Sequence, residues 1–132
     1  MRYRRRTNMT EQIYLDRIEK GVKILRTYDI MIHGQGNYKT MPHYMKVLGD
    51  FCIDYLKYKA ASTGEVIHPI ENVNTLLDIC KSHNIKVVDT VVAHAKLIQD
   101  CKELKYTDVA ECMKVMPETS AIITEITAEL GL

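Results

Sequence analysis

Four side chains in the second half of the chain have the donor atoms and the helical spacing that a zinc ion requires. Cys80 and His83 lie one helical turn apart, and His94 and Cys101 lie two turns apart on the next predicted helix. Two antiparallel helices would bring the four together. Their spacing, C-x2-H-x10-H-x6-C, nevertheless matches no common zinc module. We therefore predict no metal and no cofactor, with the cysteines packed in the core and the histidines partly exposed.

Cysteine placement indicates a reducing compartment. All four cysteines fall inside predicted helices with apolar flanks, whereas small disulfide-bonded secreted domains place theirs in loop-rich segments. The basic N-terminus is not followed by an apolar segment or a cleavage site, which predicts that no secretory signal is present. No stretch approaches the roughly 18 apolar residues of a membrane span. These features predict a soluble cytoplasmic protein with buried, reduced thiols.

A second candidate site interleaves aromatic and basic residues. The stretch Tyr55-Leu-Lys-Tyr-Lys59 suits single-stranded nucleic acid, because bases stack on exposed rings while cations meet the phosphates. The simpler interpretation is that Tyr55 and Tyr58 continue an apolar helix stripe with the two lysines as its solvated edge. The predicted nucleic-acid-binding residues are Arg4, Arg5, Arg6, Lys57, Tyr58 and Lys59.

Catalytic motifs are missing from the sequence. Gly34-x-Gly36 lacks the lysine and the preceding strand of a phosphate-binding loop, and it is interpreted as a turn. The sequence contains no HExxH motif, no serine on a glycine elbow and no paired-carboxylate spacing. We therefore predict that the protein is not an enzyme and has no catalytic residues.

The elements that would position these residues are all helical. The first predicted helix begins at Asn8, where Glu11 completes a capping box, and it ends in the turn at 33–37. The next begins after Thr40 as its cap, with Pro42 in the first turn, and it ends at Ser62 to Gly64. We predict an all-α compact bundle of about five to six helices. Its parts are a flexible basic arm (1–9), an N-terminal helical pair (10–63) and a C-terminal subdomain (70–132).

The C-terminal subdomain is predicted to contain a helix-turn-helix-like unit. A short helix, 75–83, is capped by Asn74 and ended by a left-handed Asn84, and a longer helix follows over about 87–103. Two further helices are predicted over 108–115 and from Pro117 to Gly131. On the longer helix the residues predicted to face outward carry nearly balanced charge: Lys86, Asp89, His94, Lys96, Gln99, Asp100, Lys102 and Glu103. Because DNA affinity grows with each phosphate that a cation neutralises, this helix is a poor reading element.

Charge is unevenly divided along the chain. Residues 1–68 contain 12 Lys/Arg against 7 Asp/Glu, a net of +5, whereas residues 69–132 contain 6 against 10, a net of −4. Such a chain can bind an anionic surface with one half and a protein with the other, or it can self-associate head to tail.

From Thr75 onward the order of motifs resembles a known family. The segments are NIKVVDTVV (84–92), LKYTDVA (104–110) and IITEITAELGL (122–132). This order resembles the late-promoter transcription coactivators of tailed phages, whose small helical domains sit on host RNA polymerase. The resemblance covers at most 58 residues, and Leu130-Gly131-Leu132 lacks the aromatic expected of that family's clamp-binding peptide. The same segment is similar to the C-terminal helix-turn-helix module of RecQ-type helicases, in which 90–94 would open the second helix.

Three functions therefore remain open from the sequence. The leading hypothesis is a non-enzymatic regulatory adaptor that binds a transcription or replication protein in the cytoplasm, which would be the host cytoplasm for a phage protein. Its predicted partner-binding residues are Val88, Val91, Ile123, Ile126 and Leu130. The alternatives are a nucleic-acid-binding helical protein, and a structural homo-oligomer whose seam is Leu15, Ile18, Val22 and Leu25.

Overall fold

The computed structural model describes residues 8–100 and 119–132, and this part of the chain contains five α-helices and no β-strand. The prediction of an all-α fold is confirmed. Arg4 to Arg6, Cys101, Cys112 and the predicted helix 108–115 lie outside the described residues. The helices are α1 (Met9–Asp29), α2 (Met41–Ala61), α3 (Val73–Ser82), α4 (Asp89–Asp100) and α5 (Thr119–Leu130).

The start of α1 follows the predicted capping box. The Glu11 backbone N–H donates to Asn8 Oδ1 at 2.8 Å, and the Asn8 backbone N–H donates to Glu11 Oε1 at 3.4 Å. Asn8 Nδ2 also donates to the Ala61 carbonyl at 3.1 Å, which ties this cap to the end of α2. Asn8 and Met9 thus belong to the start of α1.

The turn between α1 and α2 lies where the glycines predict it. A single π-helical turn, Ile30–Gly34, follows α1, and Gly36 has a φ of 67° that favours glycine. Pro42 occupies the first turn of α2 as predicted. Thr40 precedes that helix, but the prediction of its side chain as a cap was wrong, because Thr40 Oγ1 donates to the Asn37 carbonyl at 2.9 Å instead.

The packing of α1 on α2 forms the centre of the core. Ile18 and Leu25 on α1 are fully buried in the same cluster as the α2 side chains Tyr44, Leu48 and Tyr55. Three of the four residues of the proposed oligomer seam, Ile18, Val22 and Leu25, are therefore used inside the chain.

The later helices differ from prediction mainly at their starts. Asn72, and not Asn74, caps α3, because its Oδ1 accepts from the Thr75 N–H at 3.2 Å. Asn84 has the predicted left-handed conformation, with a φ of 56°, and α4 begins at Asp89. Gly131, with a φ of 69°, ends α5 as predicted.

One hydrophobic cluster joins both predicted segments. It includes Val73, Leu76, Val91 and Ile126 together with the α1 and α2 residues, and α5 contacts α1. Ile67, which lies between the predicted N-terminal helical pair and the C-terminal subdomain, is also buried, and the His68–Pro69 peptide bond is cis. The described segments therefore pack around a common core. None of the described helices combines the length and the apolar character needed to cross a membrane.

Candidate functional site

A buried tyrosine hydroxyl connects three helices of the bundle. Tyr55 on α2 is fully buried, and its hydroxyl donates to Glu129 Oε2 on α5 at 2.5 Å. The same oxygen accepts from the Val88 backbone N–H at 3.2 Å, just before α4. Lys59, one turn further along α2, forms an ion pair with the other Glu129 oxygen. We call Tyr55, Lys59, Val88 and Glu129 the Tyr55 junction.

The electrostatics of the Tyr55 junction favour a structural role. Burial raises the pKa of Tyr55 far above its usual value, and the hydrogen bond to Glu129 raises it further, so the phenol stays a neutral donor. Burial also raises the pKa of the nearby Cys80 thiol, against the smaller opposing effect of Lys59. A protonated thiol is a poor nucleophile. The Tyr55 phenol and the Cys80 thiol are therefore held in their neutral forms, and the hydrogen bonds of the junction join the helices.

Replacing Tyr55 with phenylalanine should destabilise the protein by roughly 1–3 kcal/mol, because a buried donor loses its acceptor. The Val88 N–H and the Glu129 carboxylate both lose the hydroxyl. Urea unfolding followed by circular dichroism measures the change. Glu129→Gln is the matched variant. Its amide oxygen still accepts a hydrogen bond from Tyr55, whereas the substitution removes the negative charge opposite Lys59. A Tyr55→Phe protein as stable as the parent would show that the hydroxyl does not hold the helices.

A second polar site lies between α1 and α2 and beside the segment before α3. It is a cavity of about 340 Å³ lined by Arg17, Asp50, Ile53, Asp54, Lys57 and Glu71, which we call the charged groove. Lys57 is only 6% exposed, and its Nζ lies 2.5 Å from Glu71 Oε1. Arg17 lies 3.6 Å from Asp54 Oδ1. Both cations also approach the Tyr14 ring, at 5.5 Å for Arg17 and 5.7 Å for Lys57.

Asp54 is the titratable group of the charged groove. Burial raises its pKa to about 6, and the opposing attraction of Arg17 and Lys57 is too small to reverse this. The Arg17 side chain is 57% exposed, so water screens much of its charge. Asp54 can therefore exchange a proton near pH 6, but the groove lining contains no hydroxyl, thiol or imidazole for it to activate.

The structure separates the two lysines of the predicted nucleic-acid site. Lys57 faces the charged groove and pairs with Glu71, whereas Lys59 pairs with Glu129 in the Tyr55 junction. The expectation that Lys57 lies on a solvated edge was wrong, because this lysine is buried beside its carboxylate and the Tyr14 ring. Tyr58 is half-buried.

The predicted partner-binding residues divide into two groups. Val91, Ile123 and Ile126 are buried in the core, so these three residues are not accessible to a partner in the folded chain. Ile123 and Ile126 face inward because α5 packs on α1 and reaches α2 through Glu129, and Val91 faces inward because α4 packs on α2. Val88 and Leu130 are half-buried and remain accessible.

Three of the four residues considered as zinc donors, Cys80, His83 and His94, lie in the described part of the chain and do not form a metal site there. Cys80 is buried, whereas His83 is exposed and its Nε2 lies 2.8 Å from Glu65 Oε2. His94 was predicted to face outward but is only 4% exposed, since it lies on the inner face of α4 beside Val91 and Ala95. Among the described residues its Nε2 has no hydrogen-bond partner, and burial lowers its pKa to about 4. Within residues 8–100 and 119–132, no group of three or more donors could hold a metal ion.

Sequence reasoning missed the two glutamates that complete these sites. Glu71 and Glu129 lie 14 and 70 residues from the lysines that they pair with, and no local spacing rule connects them. Such lysine–glutamate pairs can be recognised only once the helices are packed together. No family model, curated protein or solved structure matches the chain, so the candidate sites stand on their geometry.

Proposed function

We propose that this chain is a non-enzymatic regulatory adaptor that binds a protein of the transcription or replication machinery. The observation that carries the proposal is the internal neutralisation of its candidate basic site. Lys57 and Lys59 each pair with a glutamate of the same chain, which leaves little of their charge for phosphates. The exposed charged residues Asp89 and Lys96 of α4 balance each other.

The surface that we assign to the partner lies beside the Tyr55 junction. Since the Val88 N–H and the Glu129 carboxylate both bind the Tyr55 hydroxyl, the start of α4 and the end of α5 are neighbours. Half-buried Val88 and Leu130 lie here, and Leu132 is 44% exposed. Protein interfaces are centred on such accessible apolar side chains, surrounded by a polar rim. Here the rim would include Glu125, which accepts a hydrogen bond from Thr90.

The nature of the partner follows from the resemblance of residues 75–132 to phage late-promoter coactivators. That resemblance makes bacterial RNA polymerase the first candidate and the sliding clamp the second. A regulatory contact of this kind binds with about micromolar affinity when its interface is small.

Binding of the full-length chain to purified RNA polymerase and to purified sliding clamp tests the proposal. We expect one of the two to bind with a dissociation constant near 1–10 µM, roughly the affinity of a small transient interface. Leu132→Glu should weaken this binding about tenfold or more, because it places a charge in an apolar contact. Val66→Glu is the control, since Val66 is exposed and lies outside the assigned surface.

Two outcomes would count against the adaptor. One is the absence of binding to both proteins. The other is binding to single- or double-stranded DNA that is tighter than to either protein and falls steeply with salt, as phosphate contacts require. The second result would identify the protein as a nucleic-acid-binding one.

A further inference from the structure

The outer face of α1 exposes two large apolar side chains. Ile13 is 50% exposed and Ile24 is 45% exposed. They are eleven residues apart, which is about three helical turns or roughly 16 Å, so they share one face of the helix. This face is opposite the one that Ile18 and Leu25 bury in the core.

Two opposite charges lie between these isoleucines on the same face. Asp16 and Lys20 are both exposed and are separated by one turn. Asp16 Oδ1 accepts from Gln12 Nε2 at 2.9 Å. Along the face, these four side chains follow the order apolar, acidic, basic, apolar, and the exposed cations Arg17 and Lys23 lie at its two edges. When the helix is reversed, the apolar positions coincide and each charge meets its opposite.

We propose that this face, Ile13, Asp16, Lys20 and Ile24, is the contact between two copies of the chain arranged antiparallel about a two-fold axis. In an antiparallel pair, residues whose numbers add up to nearly the same total lie opposite each other. Ile13 of one copy therefore contacts Ile24 of the other, since their numbers add up to 37. Asp16 of one copy meets Lys20 of the other, with a sum of 36. The two-fold axis repeats each contact, which gives two apolar pairs and two ion pairs.

Self-complementarity is the reason to choose a second copy as the occupant. A nucleic-acid or anionic membrane surface would gain little from this face, because the charges of Asp16 and Lys20 cancel. The face is also distinct from the adaptor surface, which lies at the ends of α4 and α5. A single helix pair buries less than the roughly 1,200 Å² of a stable interface, so the dimer is a weak one.

Charge reversal across the two-fold axis provides a specific test. Asp16→Lys places a lysine opposite Lys20, and Lys20→Glu places a glutamate opposite Asp16. Each reversal creates two like-charge contacts per dimer, and we expect each to weaken self-association about tenfold or more. An equimolar mixture of the two variants restores both ion pairs, because the lysine introduced in one chain then meets the glutamate introduced in the other. Sedimentation equilibrium over about 5–500 µM at low salt, where exposed ion pairs are least screened, measures the parent, both variants and the mixture.

Recovery of association in the mixture, but in neither variant alone, would establish the contact, since a change within one chain cannot produce it. Glu19→Lys is the matched control. Glu19 is also exposed on α1, but it lies about 100° around the helix from the centre of the face, so its reversal should leave association unchanged. Circular dichroism checks that each variant is folded. A parent protein that is monomeric over the whole range, or a mixture that is no more associated than its components, would overturn the proposal.

Discussion

Replacing Gly21 with valine is expected to destabilise the protein by about 3 kcal/mol or more, the upper end of overpacking effects in a closed core. A Cβ atom at position 21 would lie 2.7 Å from Phe51 Cδ2, well inside van der Waals contact. The Phe51 ring is 2% exposed and has little room to move. Valine adds two further methyl groups to the same place. Urea unfolding of the variant and the parent measures the difference in free energy.

The alanine variant and a distant glycine separate this clash from the backbone effect of glycine. Gly21→Ala gains about 1 kcal/mol of helix propensity but meets the same ring, so we expect a net loss. Gly34→Ala is the control, because its Cβ would lie at an ordinary 3.8 Å from Ile30 Cγ2, and it should be nearly neutral. Combining Gly21→Ala with Phe51→Leu should be less destabilising than the sum of the single changes. Strict additivity would show that Phe51 is not the obstacle.

Features that depend on neighbouring residues could be predicted from the sequence. The Asn8 and Glu11 capping box, the left-handed Asn84 and the glycine that ends α5 follow from local hydrogen bonding and steric limits. The apolar stripe of α2 could likewise be predicted from its helical period. These rules act within one or two turns, so one sequence contains all the information that they need.

Features that depend on how the helices pack could not be predicted. Gly21 looks like a weak point in a helix until Phe51 is placed against it. Lys57 looks like a solvated lysine because nothing local marks Glu71 as its partner. The same limitation affected His94, which was assigned to the outer face of α4 because histidine is polar. His94 is buried because it lies on the face of α4 that packs against the core.

Two buried titratable groups should oppose each other in their effect on stability between about pH 4 and pH 6.5. Burial lowers the pKa of His94 from 6.5 to about 4, so the unfolded chain takes up the proton first, and stability falls as the pH drops through this range. Burial raises the pKa of Asp54 from 3.8 to about 6, so the folded chain takes up the proton first, and stability rises as the pH drops. Each shift corresponds to at most about 3 kcal/mol, and the contribution of Asp54 is smaller because its side chain is partly exposed to water.

Single substitutions should therefore reveal pH dependence that the parent protein conceals. Asp54→Asn leaves the His94 effect alone, and we expect its free energy of unfolding to fall by about 2 kcal/mol between pH 6.5 and pH 4, relative to the parent. His94→Leu removes the opposite contribution, so over the same range its stability should rise relative to the parent by a similar amount. Urea unfolding at several pH values measures how the free energy of unfolding of each protein changes with pH. Subtracting the parent's change removes the contributions that all three proteins share, including that of Asp29, whose pKa is raised. Parallel curves for the parent and Asp54→Asn would show that burial does not hold this carboxyl in its protonated form, and the charged groove would then contain an ordinary aspartate.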